Sequence, residues 1–269
     1  MASFSVVSNI ASANAQSNLQ GTQLNLNKAL TRLSSGFRIN YAGDDAAGLA
    51  VANTYRNNQA ILSQGIRNAN DGLSKLQIKD GALNNISTLL DRLATLATQA
   101  GSASNGVDIS KLSDEYGQVV AEITREATVG EVSTASASFS VFVSSETNAS
   151  DGAVTGTINA ATASGLSLST TSFSTASAAQ AALSQVKSAI DTLGDIQNTV
   201  GTLQNKLSFA INLAQSQQVN TKAAESRIRD ANIAEESANM TRFNILSQSG
   251  IAALAQANQT SSSVLSLLR

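Results

Sequence analysis

The sequence has no cysteine, no histidine and no proline. Without cysteine, no disulfide can lock the chain in any compartment. Without cysteine and histidine, zinc centres, Ser-His-Asp triads and His-paired thiol nucleophiles cannot be built. Average usage would place about thirteen prolines in a chain this long. A chain without them has no slow prolyl isomerisation step. The lack of both disulfides and prolines suits a protein that travels unfolded and refolds quickly at its destination. Long helices, which exclude proline from their interiors, account for the second absence equally well. Aromatic residues are also scarce, at 4%. With so few rings to fill a core, long helices packed through Leu, Ile and Ala are expected. Charged residues reach only 13% and nearly cancel, with a net charge of −2. There is no basic patch for nucleic acid. Little self-repulsion opposes packing against identical copies. No apolar run approaches the roughly 18 residues of a membrane span. The polar, amide-rich opening, whose first basic residue is Lys28, does not read as a conventional signal peptide.

What is present is helical periodicity. Leu19, Leu26 and Leu33 recur every seventh residue, with Leu30 and Phe37 at helical spacing between and after them. This is the stripe of a helix packed lengthwise on another. The reading is a helix from Phe4 to Phe37 with a weak first half (Val7, Ile10), frayed alone and ordered in an assembly. Ser34-Ser35-Gly36 reads as a helix end, because glycine tolerates the left-handed closing turn. Residues 38–44 read as a turn, and Asp44-Asp45 as a helix start, where carboxylates accept from free backbone N–H groups. A second helix is expected from Asp45 to about Gln99. Its stripe comprises Ala52, Tyr55, Leu62, Ile66, Ala69, Leu73, Leu76, Leu83, Ile86, Leu90, Leu93 and Ala97. At 1.5 Å per residue it would be a rod about 80 Å long. Gly65 and Gly72 inside it are read as places of close helix approach. A loop over 101–106 leads to a third helix, Asp108–Ala127, with Leu112, Tyr116, Val119, Ile123 and Ala127 on one face.

From Thr128 to Ser174 the chain turns to Ser, Thr, Ala and Gly. Phe139, Val141 and Val143 alternate with other residues, as do Leu166 and Leu168 with serine, which predicts short strands as against a linker. Ser177-Ala178-Ala179-Gln180 matches a capping box. Leu183, Val186, Ile190, Leu193, Val200, Leu203, Leu207 and Ala214 then define another long helix, continuing through Ala224 and Ile228. Met240, Ile251, Leu254, Leu265 and Leu268 carry a seam to the end.

The expected fold is mainly α: a long antiparallel helical bundle with paired terminal coiled-coil helices and a small β-hairpin region in the middle. The expected segments are 1–44, 45–127, 128–176, 177–230 and 231–269. Neither terminal helix can bury its stripe alone, so the two should pair, and identical pairs from other subunits should cover the remainder. Contacts of that kind that do not close on themselves give an open helical polymer. The candidate residues for intersubunit or core packing are Leu19, Leu26, Leu30, Leu33, Met240, Ile251, Leu254, Leu265 and Leu268, with burial wholly inside one chain as the plainer alternative. The acidic pairs Asp44-Asp45, Asp114-Glu115 and Glu235-Glu236 are read as caps or solvated charges rather than catalytic groups, since adjacent helical residues do not face each other. No catalytic residue, metal or cofactor is expected.

Three stretches also carry a family resemblance: Leu33-Ser34-Ser35-Gly36-Phe37-Arg38-Ile39-Asn40 with Asp44-Asp45-Ala46-Ala47-Gly48-Leu49-Ala50; Gln64-Gly65-Ile66-Arg67-Asn68-Ala69-Asn70-Asp71-Gly72; and Ser226 to Glu236 with Leu254-Ala255-Gln256-Ala257-Asn258-Gln259. They closely resemble the terminal signatures of bacterial flagellin. The match covers roughly residues 1–127 and 180–269 and lapses between them, where Glu126-Ala127-Thr128-Val129-Gly130-Glu131 replaces a Thr-Phe-Asn-Gly stretch frequent in the family. The resemblance implies a structural filament subunit for swimming motility. It also implies export through the flagellar apparatus without a cleaved signal, a chaperone on the C-terminal segment, and filament-cap and hook-associated partners. Leu90 to Leu96 resembles the segment contacted by the vertebrate Toll-like flagellin receptor in some flagellins, with Arg92, Leu96 and Glu115 at matching positions. Exposed, paired helix-face charges are the plainer account of Arg92 and Glu115. The alternatives are a hook–filament junction protein, which shares the terminal helices, and a surface adhesin acting through the Ser/Thr-rich middle.

Overall fold

The computed structural model describes residues 9–102, 108–134, 136–144, 152–169 and 172–267, with side chains as far as Thr260. Over these it comprises α1 (Ile10–Ser35), α2 (Ala46–Gly101), α3 (Ile109–Val129), strands β1 (Ala137–Phe142) and β2 (Ala153–Ile158), α4 (Ala176–Arg229) and α5 (Ile233–Leu267). No described helix is long and apolar enough to cross a membrane. Two compact units emerge. One is Asn58–Asn220; the other joins the described residues up to Asn57 with those from Thr221 onward.

In the Asn58–Asn220 unit, α2 contributes Leu62, Ala69, Leu76, Leu83, Ile86, Leu90, Leu93 and Ala97 to one continuous buried seam. The steps of three, four and seven are those that keep side chains on one helix face. Helix α4 answers with Ala182, Val186, Ala189, Leu193, Ile196, Val200, Leu203, Leu207 and Ala214. Helix α3 adds Tyr116, Val120, Ile123 and Ala127. Asp108 caps α3 by accepting from Ser110 N at 3.2 Å.

Strands β1 and β2 pair antiparallel, Ala137 opposite Ile158 and Phe142 opposite Ala153. The hairpin region lies on α2 at two glycines, and on α4 the Leu203 side chain meets β2 at Gly156. A Cβ at Gly65 would sit 2.1 Å from the carbonyl oxygen of Val143, and one at Gly72 would sit 2.7 Å from Val141 Cγ2. Gly65 thus admits the backbone just past β1, and Gly72 admits the side chains of Val141 and Phe139 together with Leu207 of α4.

Several boundaries differ from expectation, each for a local reason. Phe37 lies outside α1. Gly36 ends the helix in the left-handed conformation, φ 74°, donating its N–H to Arg32 O, and Phe37 then forms a bridge with Asp230. Leu166 and Leu168 are buried in a turn rather than a strand. Leu166 N donates to Thr162 O at 2.9 Å, Leu168 N donates to Ala163 O at 2.8 Å, and Ser167 between them is left-handed, φ 59°. Helix α4 is capped by Thr175, whose Oγ1 accepts from Ala178 N at 3.2 Å, not by Ser177. Ile190 is turned out of the α4 seam, and Ala189 takes its place. Phe4, Val7 and most of the 101–106 loop lie outside the described residues.

Candidate assembly surface

The terminal unit is built on the pairing of α1 with α5, and its contacts fix an antiparallel arrangement. At one end Asn9 Nδ2 donates to Ala257 O at 2.9 Å. In the middle Leu19 lies against Gly250. At the other end Arg32 Nη1 donates to Glu236 Oε1 at 3.2 Å. Beyond that, Ala231 N donates to Gly36 O at 2.9 Å and Arg38 N to Arg229 O at 2.6 Å.

The turn that leaves α1 is held by its own polar side chains. Ser35 Oγ accepts from Phe37 N at 3.2 Å and from Asn40 Nδ2 at 3.0 Å. Asp44 Oδ2 accepts from Asn40 N at 3.2 Å and Tyr41 N at 3.3 Å. The Asn40 hydrogen bond, against the opposing effect of burial and helped by Tyr41, Arg32 and Lys28, holds the Asp44 carboxyl below its usual range. Asp45 caps α2, accepting from Gly48 N at 2.9 Å. The two adjacent acids therefore have separate structural tasks. The Arg229 guanidinium lies 4.1 Å from the centroid of the Phe37 ring, a favourable cation–π arrangement.

This unit covers little of its own apolar surface. Only Leu26 and Ala29 of α1 are buried. Ile10, Leu24 and Leu30 of α1, and Ile233, Ile245, Leu246 and Ile251 of α5, are exposed, Leu24 at 65% and Ile251 at 58%. Among the expected intersubunit residues, Leu26 is consumed inside the chain. Leu19, Leu33, Met240 and Leu254 are half-buried at the α1–α5 seam, while Leu30 and Ile251 face outward. The side chains of Leu265 and Leu268 lie outside the described range. Leu24, Ile245 and Leu246 were not expected. They fall off the seven-residue stripe, and only a second apolar face, read at helical spacing, would have revealed them.

The remaining candidate group lies in the other unit. Arg92 Nε donates to Glu115 Oε1 at 2.9 Å across α2 and α3, with both side chains about half exposed. Leu96 is not on that surface; it is 1% exposed and part of the core.

Family comparison agrees with this two-ended architecture. The model of the bacterial flagellin N-terminal helical region matches residues 6–135, and that of the bacterial flagellin C-terminal helical region matches residues 183–268. A flagellin of Halalkalibacterium halodurans is 36% identical, over 97% of this chain and 98% of its own length. A flagellin of Bacillus subtilis is 33% identical over the same shares. Flagellin FlaB1 of Treponema pallidum is 32% identical, again over 97% and 98%. With both terminal regions matched and the relatives aligned over nearly their whole length, the chain belongs to the bacterial flagellins.

Proposed function

We infer that this flagellin, a structural, non-enzymatic subunit that polymerises into the extracellular flagellar filament, forms the filament core from segments 1–44 and 231–269. Segments 45–127 and 177–230 form the surrounding rod, and 128–176 forms the variable outer part. The exposure of Leu24, Leu30, Ile245, Leu246 and Ile251 on a pair that buries only Leu26 and Ala29 of α1 carries this reading. Apolar patches of that kind mark surfaces awaiting a partner, and with a net charge of only −2 an identical partner meets little repulsion. Leu30→Asp with Ile251→Asp should leave a folded monomer that does not extend short filament seeds under the electron microscope. The half-buried Leu254→Asp should act in the same direction, and a version trimmed to residues 45–230 should give no filaments at all. Filaments of ordinary length from these variants would remove the assignment.

The same exposed face on α5 is a hazard before assembly, and an export chaperone covering the C-terminal segment fits that need. The filament's ends call for cap and hook-associated partners on the same terminal surface. Export without a cleaved signal is part of this reading, and an N-terminal sequence in purified filaments that matches the translated start is the test. The Arg92–Glu115 pair is the accessible part of the Toll-like receptor segment. Arg92→Ala should weaken binding of the purified receptor ectodomain, and unchanged binding would dismiss the contact.

A further inference from the structure

We propose that Arg32 and Glu236 are positioning residues for polymerisation: their ion pair sets the axial register of α1 on α5 and so the spacing of the apolar side chains the pair presents outward. The proposal rests on the reading that this pair is the assembly surface.

The apolar packing between the two helices by itself specifies register poorly. Helix α1 buries two residues, Leu26 and Ala29. Over Ile233–Thr260 of α5, Glu236 is the one residue that is buried. The most deeply held side chain of α5 is thus a carboxylate rather than a leucine. Much of the rest of the interface is half-buried Leu, Ala, Ser and Asn at helical spacing, which a shift of one heptad would satisfy nearly as well. A charge pair cannot slip in this way. A shift of seven residues moves its partners about 10 Å apart, leaving Glu236 buried without its cation, which is strongly unfavourable. Arg32 is held from a second side by Asp44, Nη2 to Oδ1 3.8 Å, so the pair also ties α5 to the turn that begins α2. Its fork of donors suits two carboxylates in a way a lysine point charge does not. Other register marks are independent of charge: Ala231 N to Gly36 O and Arg38 N to Arg229 O beyond the pair, Asn9 Nδ2 to Ala257 O at the far end, and Gly250, where a Cβ would lie 3.8 Å from Leu19 Cβ, the separation found in disulfides.

The chain has no cysteine, so register can be read by cross-linking in the full-length protein. Leu19→Cys with Gly250→Cys reports the native register. Leu19→Cys with Ala257→Cys or Phe243→Cys, seven residues to either side, reports slipped ones. In the parent only the first pair should oxidise efficiently. The double variant Arg32→Met with Glu236→Leu replaces the ions by apolar groups, an exchange that often preserves stability. In it, the 19–250 cross-link should fall by about half, the slipped cross-links should appear, and seeded filament growth should slow about tenfold, as expected when register is no longer singular. Glu236→Gln, which keeps the side chain's size, is read in the same way should the double variant fold poorly. A variant that cross-links only at 19–250 and elongates like the parent overturns the proposal. Cross-linking needs no polymer, so a parent that fails to form filaments would count against the assembly reading alone.

Discussion

The two units solve the problem of burying apolar surface in opposite ways. Residues Asn58–Asn220 close on themselves: Leu76, Leu83, Ile86, Leu90 and Leu93 are each 0% exposed, met by α3, α4 and the region around the hairpin. The terminal unit has leucines and isoleucines at similar spacing but places half of them outside. The difference is one of partners, not of composition. A helix with apolar residues on two faces needs neighbours on two sides, and among the described helices α1 packs chiefly on α5. The first unit closes over a continuous core and leaves Ile78, Phe209, Leu213 and Val219 outside; the second leaves both of its paired terminal helices with an uncovered apolar face.

The largest expected effect breaks the half that closes over its core. Leu90→Ala leaves a cavity with no solvent to fill it and should destabilise the monomer by about 2–5 kcal/mol, measured by urea denaturation. Gly65→Ala overpacks the same unit against the Val143 carbonyl, where the added carbon would sit 2.1 Å from oxygen. Relief requires the hairpin to lift, at a cost of about 1–3 kcal/mol. A Gly65→Ala protein as stable as the parent would mean that the strand region does not rest on α2.

A subtler test uses pH. Tyr116 is fully buried, its hydroxyl has no hydrogen-bond partner among the described residues, and its ring meets Phe173 edge-on at 5.2 Å. Burial raises its pKa from 10.0 to about 12. A group whose folded pKa is raised contributes its full stability below the unfolded value and loses it as pH climbs through the folded value. The parent should therefore lose stability between about pH 10 and 12 at up to about 1.4 kcal/mol per pH unit from this group. Lys79, whose pKa is lowered chiefly by burial, works in the opposite sense. Comparison with Tyr116→Phe, which retains Lys79, isolates the tyrosine: the variant should lack this part of the alkaline slope. Parallel slopes would show that the phenol reaches water.

How much of this was legible in the sequence follows the same division. The seams of α2 and α4 could be read over most of their length, Ile190 excepted, because a helix contact imposes steps of three, four and seven on one chain segment. The hairpin alternation at Phe139 and Val141 was also legible. The turn around Ser167 was not, because Leu-Ser-Leu alternates like a strand while its backbone bends through a left-handed residue. In the terminal unit the stripe from Leu19 to Leu33 was visible and its pairing with the C-terminal helix followed. The stripe did not reveal which leucines remain outside, since exposure there depends on how many neighbours the fold supplies. Nor did it reveal the Arg32–Glu236 contact or the bridge between Phe37 and Asp230. These join residues about two hundred positions apart, with no local pattern to announce them.

The smallest expected effect on the monomer gives the sharpest contrast, because it needs only two leucines on one helix. Leu26 is 8% exposed and Leu24 is 65% exposed. They differ by two positions, about 200° around a helix. Leu26→Ala removes a contact that the monomer already makes and should fray α1 from α5, seen as faster hydrogen exchange across Leu19–Ser35. Leu24→Ala removes nothing the monomer uses, and its stability should stay within about 0.5 kcal/mol of the parent. If the terminal unit is completed by neighbouring subunits, Leu24→Ala should nonetheless raise the protein concentration needed for seeded growth. Should the exposed leucine prove silent in both measurements while Leu26→Ala alone impairs growth, filament contacts would lie on another face of α1. The monomer's own seam, not its uncovered surface, would then be what assembly depends on.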